Sequence, residues 1–237
     1  MKVSELWRYP VKSLQGERVE SVAVTHEGLE GDRRFAIYDL DSGRGLTARR
    51  VPELLFGAAR LAGDGSVEIT LPDGSPAADD QALSAWLGRP VALRSADAGV
   101  ERRYENVIDF EHELASEWED FEGPGGAFHD SAGARLSLVS KATIGSWDRR
   151  RFRSNVLLEG AGEDALVGTT VRLGDAVVAI EMRMQRCVMT TRPQPGGIER
   201  DLDVMRTIAR ERDACLAVGG LVTQPGVTRV GDELLEI

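Results

Sequence analysis

The sequence predicts a mainly β, α+β fold in which many short strands close into barrel-like units carrying a few short helices. Three observations lead there. Short runs of alternating or β-branched apolar residues recur along the whole chain, Gly, Asp and Pro pairs punctuate them, and helical periodicity is clear in only three places. The 237 residues give room for one large β domain or two smaller ones, either burying roughly 70% of its unfolded surface.

Taken in order, residues 19–25 alternate around Val22 and Val24, and 35–40 form a second apolar run, so both predict strands. Residues 67–71 alternate cleanly and stop at Pro72-Asp73-Gly74, a turn sequence. Asp79 or Asp80 caps a predicted helix with Leu83, Trp86 and Leu87 on one face, and Gly88 ends it. Strands follow at 91–94, 136–139, 156–159, 171–173 and 177–181, the last two joined by a Gly174-Asp175 turn. A second helix is expected from Ser140 to about Trp147. A third spans 202–212, where Leu202, Met205, Ile208 and Ala209 share a face. The final strands, 227–230 and 234–237, flank Gly231-Asp232 and read as a hairpin.

Composition narrows the function classes. A net charge of −10 opposes general nucleic-acid binding and adsorption to an anionic membrane surface, both of which draw on surplus Lys and Arg. No run approaches the roughly 18 apolar residues that span a bilayer, and the first residues lack the apolar core of a signal peptide. A cytoplasmic location is therefore expected, with Cys187 and Cys215 free, although one bridge between them stays open. Two cysteines are too few for an iron–sulfur cluster in this chain. Residues 101–122 hold nine carboxylates against two arginines, and Gly123-Pro124-Gly125-Gly126 follows. This segment reads either as a solvated, mobile connector or as a lid over a site.

Familiar chemistry is mostly absent. There is no Gly-rich nucleotide loop, no Gly-x-Ser-x-Gly, and only three histidines, which poorly supports a multi-histidine metal site. What stands out is Arg186-Cys187-Val188-Met189-Thr190-Thr191. A guanidinium beside a cysteine favours thiolate, the form that acts as nucleophile or soft-metal ligand; a small buried hydrophobe is the competing reading. Four arginines fall within Arg149–Arg153, just before Asn155. They suit an anion, or alternatively salt bridges to the acidic segment. Tyr9-Pro10-Val11-Lys12-Ser13 and Gly28-Leu29-Glu30-Gly31-Asp32-Arg33-Arg34-Phe35 each deliver cations next to a turn.

In this order the clusters resemble the MOSC (molybdenum cofactor sulfurase C-terminal) family, including the mitochondrial amidoxime-reducing component and its bacterial relatives. Thr47-Ala48-Arg49-Arg50-Val51-Pro52, Phe128-His129-Asp130 and Val227-Thr228-Arg229-Val230-Gly231-Asp232 extend the match over nearly the whole chain. The resemblance implies a MOSC β-barrel domain at 128–237, a β-rich MOSC N-terminal domain at 1–96, and a connector at 97–127. It implies a molybdenum cofactor (Mo-molybdopterin), no pyridoxal phosphate, and Cys187 as the metal ligand and catalytic residue. Lys12, Ser13, Arg33, Ser140, Arg153, Asn155 and Arg186 would bind the pterin and its phosphate, and Asp130 would supply protons. The activity implied is reduction of small N-hydroxylated or N-oxide substrates. With no cluster-bearing extension, electrons would come from a separate ferredoxin, flavoprotein or cytochrome b5-like protein. A cofactor or sulfur carrier using Cys187 is the alternative. One departure is Ser154, where the family has proline; it relaxes the local backbone and leaves the donors in place.

Overall fold

The computed structural model describes all 237 residues. Its main layer is a curled eight-stranded sheet in the order Leu234–Glu236, Thr170–Leu173, Ala176–Gln185, Cys215–Gln224, Leu136–Ser140, Val156–Glu159, Lys2–Arg8 and Glu17–Val19. Every pairing is antiparallel except Leu136–Ser140 with Val156–Glu159. A three-stranded sheet of Gly226–Arg229, Ser21–Thr25 and Gly28–Leu29 packs on it, and the two layers share one apolar core containing Val3, Leu6, Val24, Leu138, Val178 and Val218.

A second core, around Val11, Leu14, Ile37, Leu54, Leu83 and Val91, belongs to residues between the first strands and the acidic segment. Two strand pairs surround it, Phe35–Asp39 with Val91–Ser95 and Ala58–Leu61 with Val67–Thr70. A linear division at 96 thus cuts across the packing, because Val3, Leu6, Val22, Val24 and Leu29 belong to the core of the carboxy-terminal barrel, while Val11 and Leu14 between them join the chain after Leu29 in the second core. The acidic segment is not a bare connector: Arg103–Val107 and Trp118–Glu122 pair as an antiparallel hairpin.

The helices follow their caps. Helix α1, Asp80–Leu87, starts where the Asp79 side chain accepts from the Ala82 amide at 2.9 Å and ends on Gly88 at φ 65°. Helix α2 is only Lys141–Ile144, shorter than the expected stretch to Trp147, because Gly145 breaks it at φ 59°. Helix α3, Leu202–Arg212, buries Val204, Met205 and Ile208. Gly174-Asp175 makes the expected turn between Thr170–Leu173 and Ala176–Gln185. The expected carboxy-terminal hairpin does not form: Gly226–Arg229 pairs with Ser21–Thr25, and Leu234–Glu236 with Thr170–Leu173. No helix is long and apolar enough to cross a membrane.

Candidate functional site

Where the two cores meet, the strand ends and loops enclose a cavity of about 580 Å³, within the range of sites that hold a cofactor or a small substrate. Lys12, Arg33, Arg49, Arg135, Arg153 and Arg186 line it, against the carboxylates of Asp130, Glu119 and Asp120. Six cations against three anions give a local surplus of +3, in a chain whose net charge is −10. Such a concentration of buried positive charge is costly unless an anion compensates it.

Cys187 lies just past the end of the long strand Ala176–Gln185, as the residue that caps a short 3-10 turn, and is half-buried in this cavity. Arg49 Nε donates to its Sγ at 3.3 Å, while Arg49 Nη2 donates to Asp130 at 2.6 Å. Asp130 also pairs with Lys12, which donates again to the Phe128 carbonyl at 3.0 Å. Burial pulls Lys12 down to about 8 despite Asp130. Burial pushes Asp130 up, but Arg49 and Lys12 outweigh it and hold the carboxyl well below the usual carboxylate range. That corrects the expected proton-donor role. A carboxylate so strongly held ionised cannot store a proton near neutral pH, so Asp130 is the charge anchor, and Lys12 Nζ is the nearby group that holds a proton there.

Arg153 and Arg186 are fixed by backbone carbonyls rather than carboxylates. Arg153 Nη1 donates to the Leu14 carbonyl at 2.5 Å, and its guanidinium lies 4.3 Å from the centroid of the Tyr9 ring. Arg186 donates to the carbonyls of Leu216 at 2.6 Å and Phe152 at 3.0 Å. Burial without a carboxylate partner lowers both to about 10. Arg33 pairs with the buried Asp32. Ser13, Arg33 and Arg153 also adopt left-handed backbone angles, with φ of 71°, 50° and 51°. Non-glycine residues pay for that conformation, and it persists where the surrounding structure dictates it.

Of the residues expected from sequence, Lys12, Ser13, Arg33, Asp130, Arg153, Asn155, Arg186 and Cys187 all line this one cavity. Ser140 does not. It is fully buried as the cap of α2, accepting from the Thr143 amide at 3.1 Å, so it is no cofactor ligand here. Asn155 is largely committed to the fold, accepting from Ser137 and donating to the Trp7 carbonyl at 3.2 Å. Within the arginine cluster only Arg153 faces the cavity; Arg149 stacks on Trp7, Arg150 pairs with Asp148, and Arg151 binds the carbonyls of Thr190 and Glu199. None of the four pairs with the acidic hairpin. Arg49 is the functional residue the sequence reading missed. Its neighbour Arg50 has the same chemistry but stacks outward, 4.4 Å from the Trp118 ring.

The donor set fits an anionic group such as a phosphate. Three cavity-lining groups are buried without any partner, Arg186 Nη2, Arg135 Nη1 and Thr47 Oγ1, as expected of donors waiting for an anion. No three His, Cys, Asp or Glu side chains cluster to hold a metal by themselves. A metal at Cys187 would therefore bring most of its ligands with it.

Two family descriptions match successive parts of the chain. Residues 1–107 match the family described as the MOSC N-terminal beta barrel domain, and 127–235 match the MOSC domain. Over 252 aligned positions the chain is 25% identical to a molybdenum cofactor sulfurase of Drosophila grimshawi, covering 95% of this chain and 32% of that protein. The chain thus spans about a third of that relative's length. Among solved structures, the YuaD protein from Bacillus subtilis aligns with 98% of this chain and 93% of its own at 12% identity and a TM-score of 0.45. YiiM from Geobacillus stearothermophilus aligns with 44% of this chain and 54% of its own at 18% identity and a TM-score of 0.37.

Proposed function

The chain belongs to the MOSC family, with the family's N-terminal barrel domain followed by the MOSC domain, and from that premise we propose that it binds the molybdenum cofactor through Cys187. The observation that carries this reading is the Cys187 thiol on the wall of a cavity with a +3 surplus, beside Arg49 and an Arg186 whose Nη2 has no partner. Lys12, Arg33, Arg153 and Arg186 would hold the anionic pterin and its phosphate, and Cys187 would be the protein's bond to the metal. When bound, the cofactor supplies a two-electron centre able to take oxygen from an N–O bond.

The reaction we assign is reduction of N-hydroxylated or N-oxide compounds, in which two electrons and two protons convert N–OH to N–H and water. Lys12 Nζ is placed to hold one proton, and Asp130 pairs with Lys12 and with Arg49, whose Nε reaches Cys187. Electrons would come from a separate protein, a ferredoxin, flavoprotein or cytochrome b5-like donor. The likeness to a molybdenum cofactor sulfurase over 95% of this chain favours a second reading, in which the domain carries the cofactor or a persulfide on Cys187 to another enzyme.

Molybdenum and pterin content after purification from a cofactor-producing host test the site. About one molybdenum per chain is expected in the native protein, with little left in Cys187→Ser; equal content in both would remove Cys187 from the metal. Loaded protein that reduces hydroxylamine-type compounds with reduced viologen supports the reductase. Loaded protein that instead restores an apo-molybdoenzyme supports the carrier.

A further inference from the structure

The acidic hairpin is attached to the molecule in two different ways. Its base is packed into the fold: Tyr104 is fully buried, beside Tyr38 and Phe128, and Phe121 packs on it with ring centroids 5.4 Å apart. Its tip, residues 108–117, makes no backbone hydrogen bond beyond the hairpin. The tip's polar contacts with the rest of the chain are three ion pairs. Glu113 clasps Arg192 through both oxygens and lies 3.7 Å from Arg200, and Glu111 accepts from Arg206 at 2.6 Å.

These pairs hold the tip over the cavity. Arg192 follows the 3-10 turn that begins at Cys187, and Arg206 lies on α3. Arg192 also donates to the carbonyl of Arg49, whose side chain contacts both Cys187 and the face of Phe121. From the hairpin, Val107, Ile108, Phe110 and Phe121 line the cavity; from the turn and α3 it is lined by Met189 and Met205. Beside the polar Asn106, Glu119 and Asp120 of the hairpin, these side chains give the cavity an apolar, adaptable patch next to its cations, because methionine side chains reshape readily around what they contact.

We propose that the hairpin is a lid that sets which molecules reach Cys187, enclosing an apolar subsite for the uncharged body of a substrate and latched by Glu113 on Arg192. This rests on the reading of Cys187 as the reacting site. The latch is stronger than an exposed pair because the side chains of Arg192 and Glu113 are only 7% and 15% exposed, so salt screens it weakly. Breaking it leaves Arg192 buried without its counter-ion while the lid is closed, which favours opening. Among the tip's large apolar residues only Phe110 is half-buried; Leu114 is fully exposed and Ile108 more than half exposed.

Thiol alkylation tests the lid without needing bound cofactor. The full chain, made in a host that cannot synthesise the pterin, is treated with iodoacetamide, a small probe, or with N-benzylmaleimide, a bulky apolar one. Modification at Cys187 and at Cys215 is followed separately by peptide mass spectrometry. Glu113→Gln is expected to speed the bulky probe at Cys187 by about tenfold, to change the small probe less, and to leave Cys215 unchanged. Equal bulky-probe rates at Cys187 in native chain and variant would overturn the lid, and so would parallel acceleration at both cysteines, which signals general loosening. Glu111→Gln, at an exposed pair, should give a smaller acceleration that 1 M salt reproduces in the native chain; an effect as large as that of Glu113→Gln would remove the latch from Glu113. The measurement reads access to the thiol, so it stands or falls separately from the molybdenum content.

Discussion

The floor and the lid of the cavity are built from the same residue types by opposite means. On the floor, Lys12, Arg153 and Arg186 are buried or nearly so and tied mainly to backbone carbonyls, with Asp130 as the one carboxylate among them. Their charge is left largely unspent and directed at the cavity. At the lid tip, each arginine meets a carboxylate of the hairpin, Arg192 and Arg200 at Glu113 and Arg206 at Glu111. Floor cations are therefore preorganised for an outside anion, whereas tip cations serve only to place a loop. An arginine count would rank the two regions alike; the acceptor each guanidinium finds separates them.

The largest effect that sharpens this contrast comes from Asp130→Asn. Removing the carboxylate leaves Lys12, with a side chain 6% exposed, and Arg49 without a counter-charge. Asp130 itself is 46% exposed to the cavity, so the expected loss is about 2 kcal/mol, below the roughly 3–5 typical when one partner of a fully buried pair is lost. Urea unfolding at low and at 1 M salt should return nearly the same loss. Glu111→Gln at the tip should cost no more than about 0.5 kcal/mol, and that should vanish in salt. A loss for Asp130→Asn that also vanished in salt would erase the distinction between floor and lid.

Much of this was legible in the sequence, and the gaps have physical causes. Asp79, Gly88, Gly174-Asp175 and the span of Leu202–Arg212 encode local structure, so one sequence sufficed to place them, although the buried face of that helix takes in Val204 and leaves Ala209 exposed. The strand Lys2–Arg8 hid because its register shifts between Val3 and Glu5, which spaces the buried Val3 and Leu6 three apart, like a helix. Cys215–Gln224 hid behind Gly219 and Gly220, weak strand formers required by crowding: a Cβ on Gly220 would lie 2.4 Å from the Ala179 carbonyl oxygen. In the hairpin, the buried Tyr104 and Val107 and the half-buried Trp118 and Phe121 are each three apart with charged residues between them, so no alternation showed. The site was legible as a set of residues but not as a geometry. Nothing local distinguishes Arg49 from Arg50, or Arg153 from Arg149; only the partners brought by the fold do.

A second, smaller effect probes the floor by pH. Lys12 releases its proton near 8 in the fold, against 10.5 in an ordinary lysine. Between those values the unfolded chain binds more protons, so the cost of burying Lys12 is fully present below pH 8 and is relieved as pH rises through that window. Anion binding should move the other way, because the floor loses a charge above pH 8. Sulfate keeps its charge over this range, and calorimetry should show its affinity falling about tenfold from pH 7 to pH 9, below the point near 10 where Arg153 and Arg186 would also lose charge. Lys12→Arg stays protonated and should flatten that profile. A falling profile in the arginine variant would place the titrating group elsewhere.

The smallest effect separates what the floor's backbone costs from what its side chains do. Arg153 sits at φ 51°, where a side chain is disfavoured by about 1 kcal/mol and glycine is not. Arg153→Ala and Arg153→Gly both delete the guanidinium, its bond to the Leu14 carbonyl and its stacking on Tyr9, so both should lose sulfate affinity equally. They should differ in stability, with the glycine variant melting about 2–4 °C above the alanine variant. That order runs against the usual one, in which glycine's extra freedom in the unfolded chain makes it the less stable choice. Observing it would show the backbone strain to be real and imposed by the surrounding fold. Melting in the usual order would mean that this segment relaxes once the arginine is gone, and that the guanidinium itself, through Leu14 and Tyr9, holds the floor in its shape.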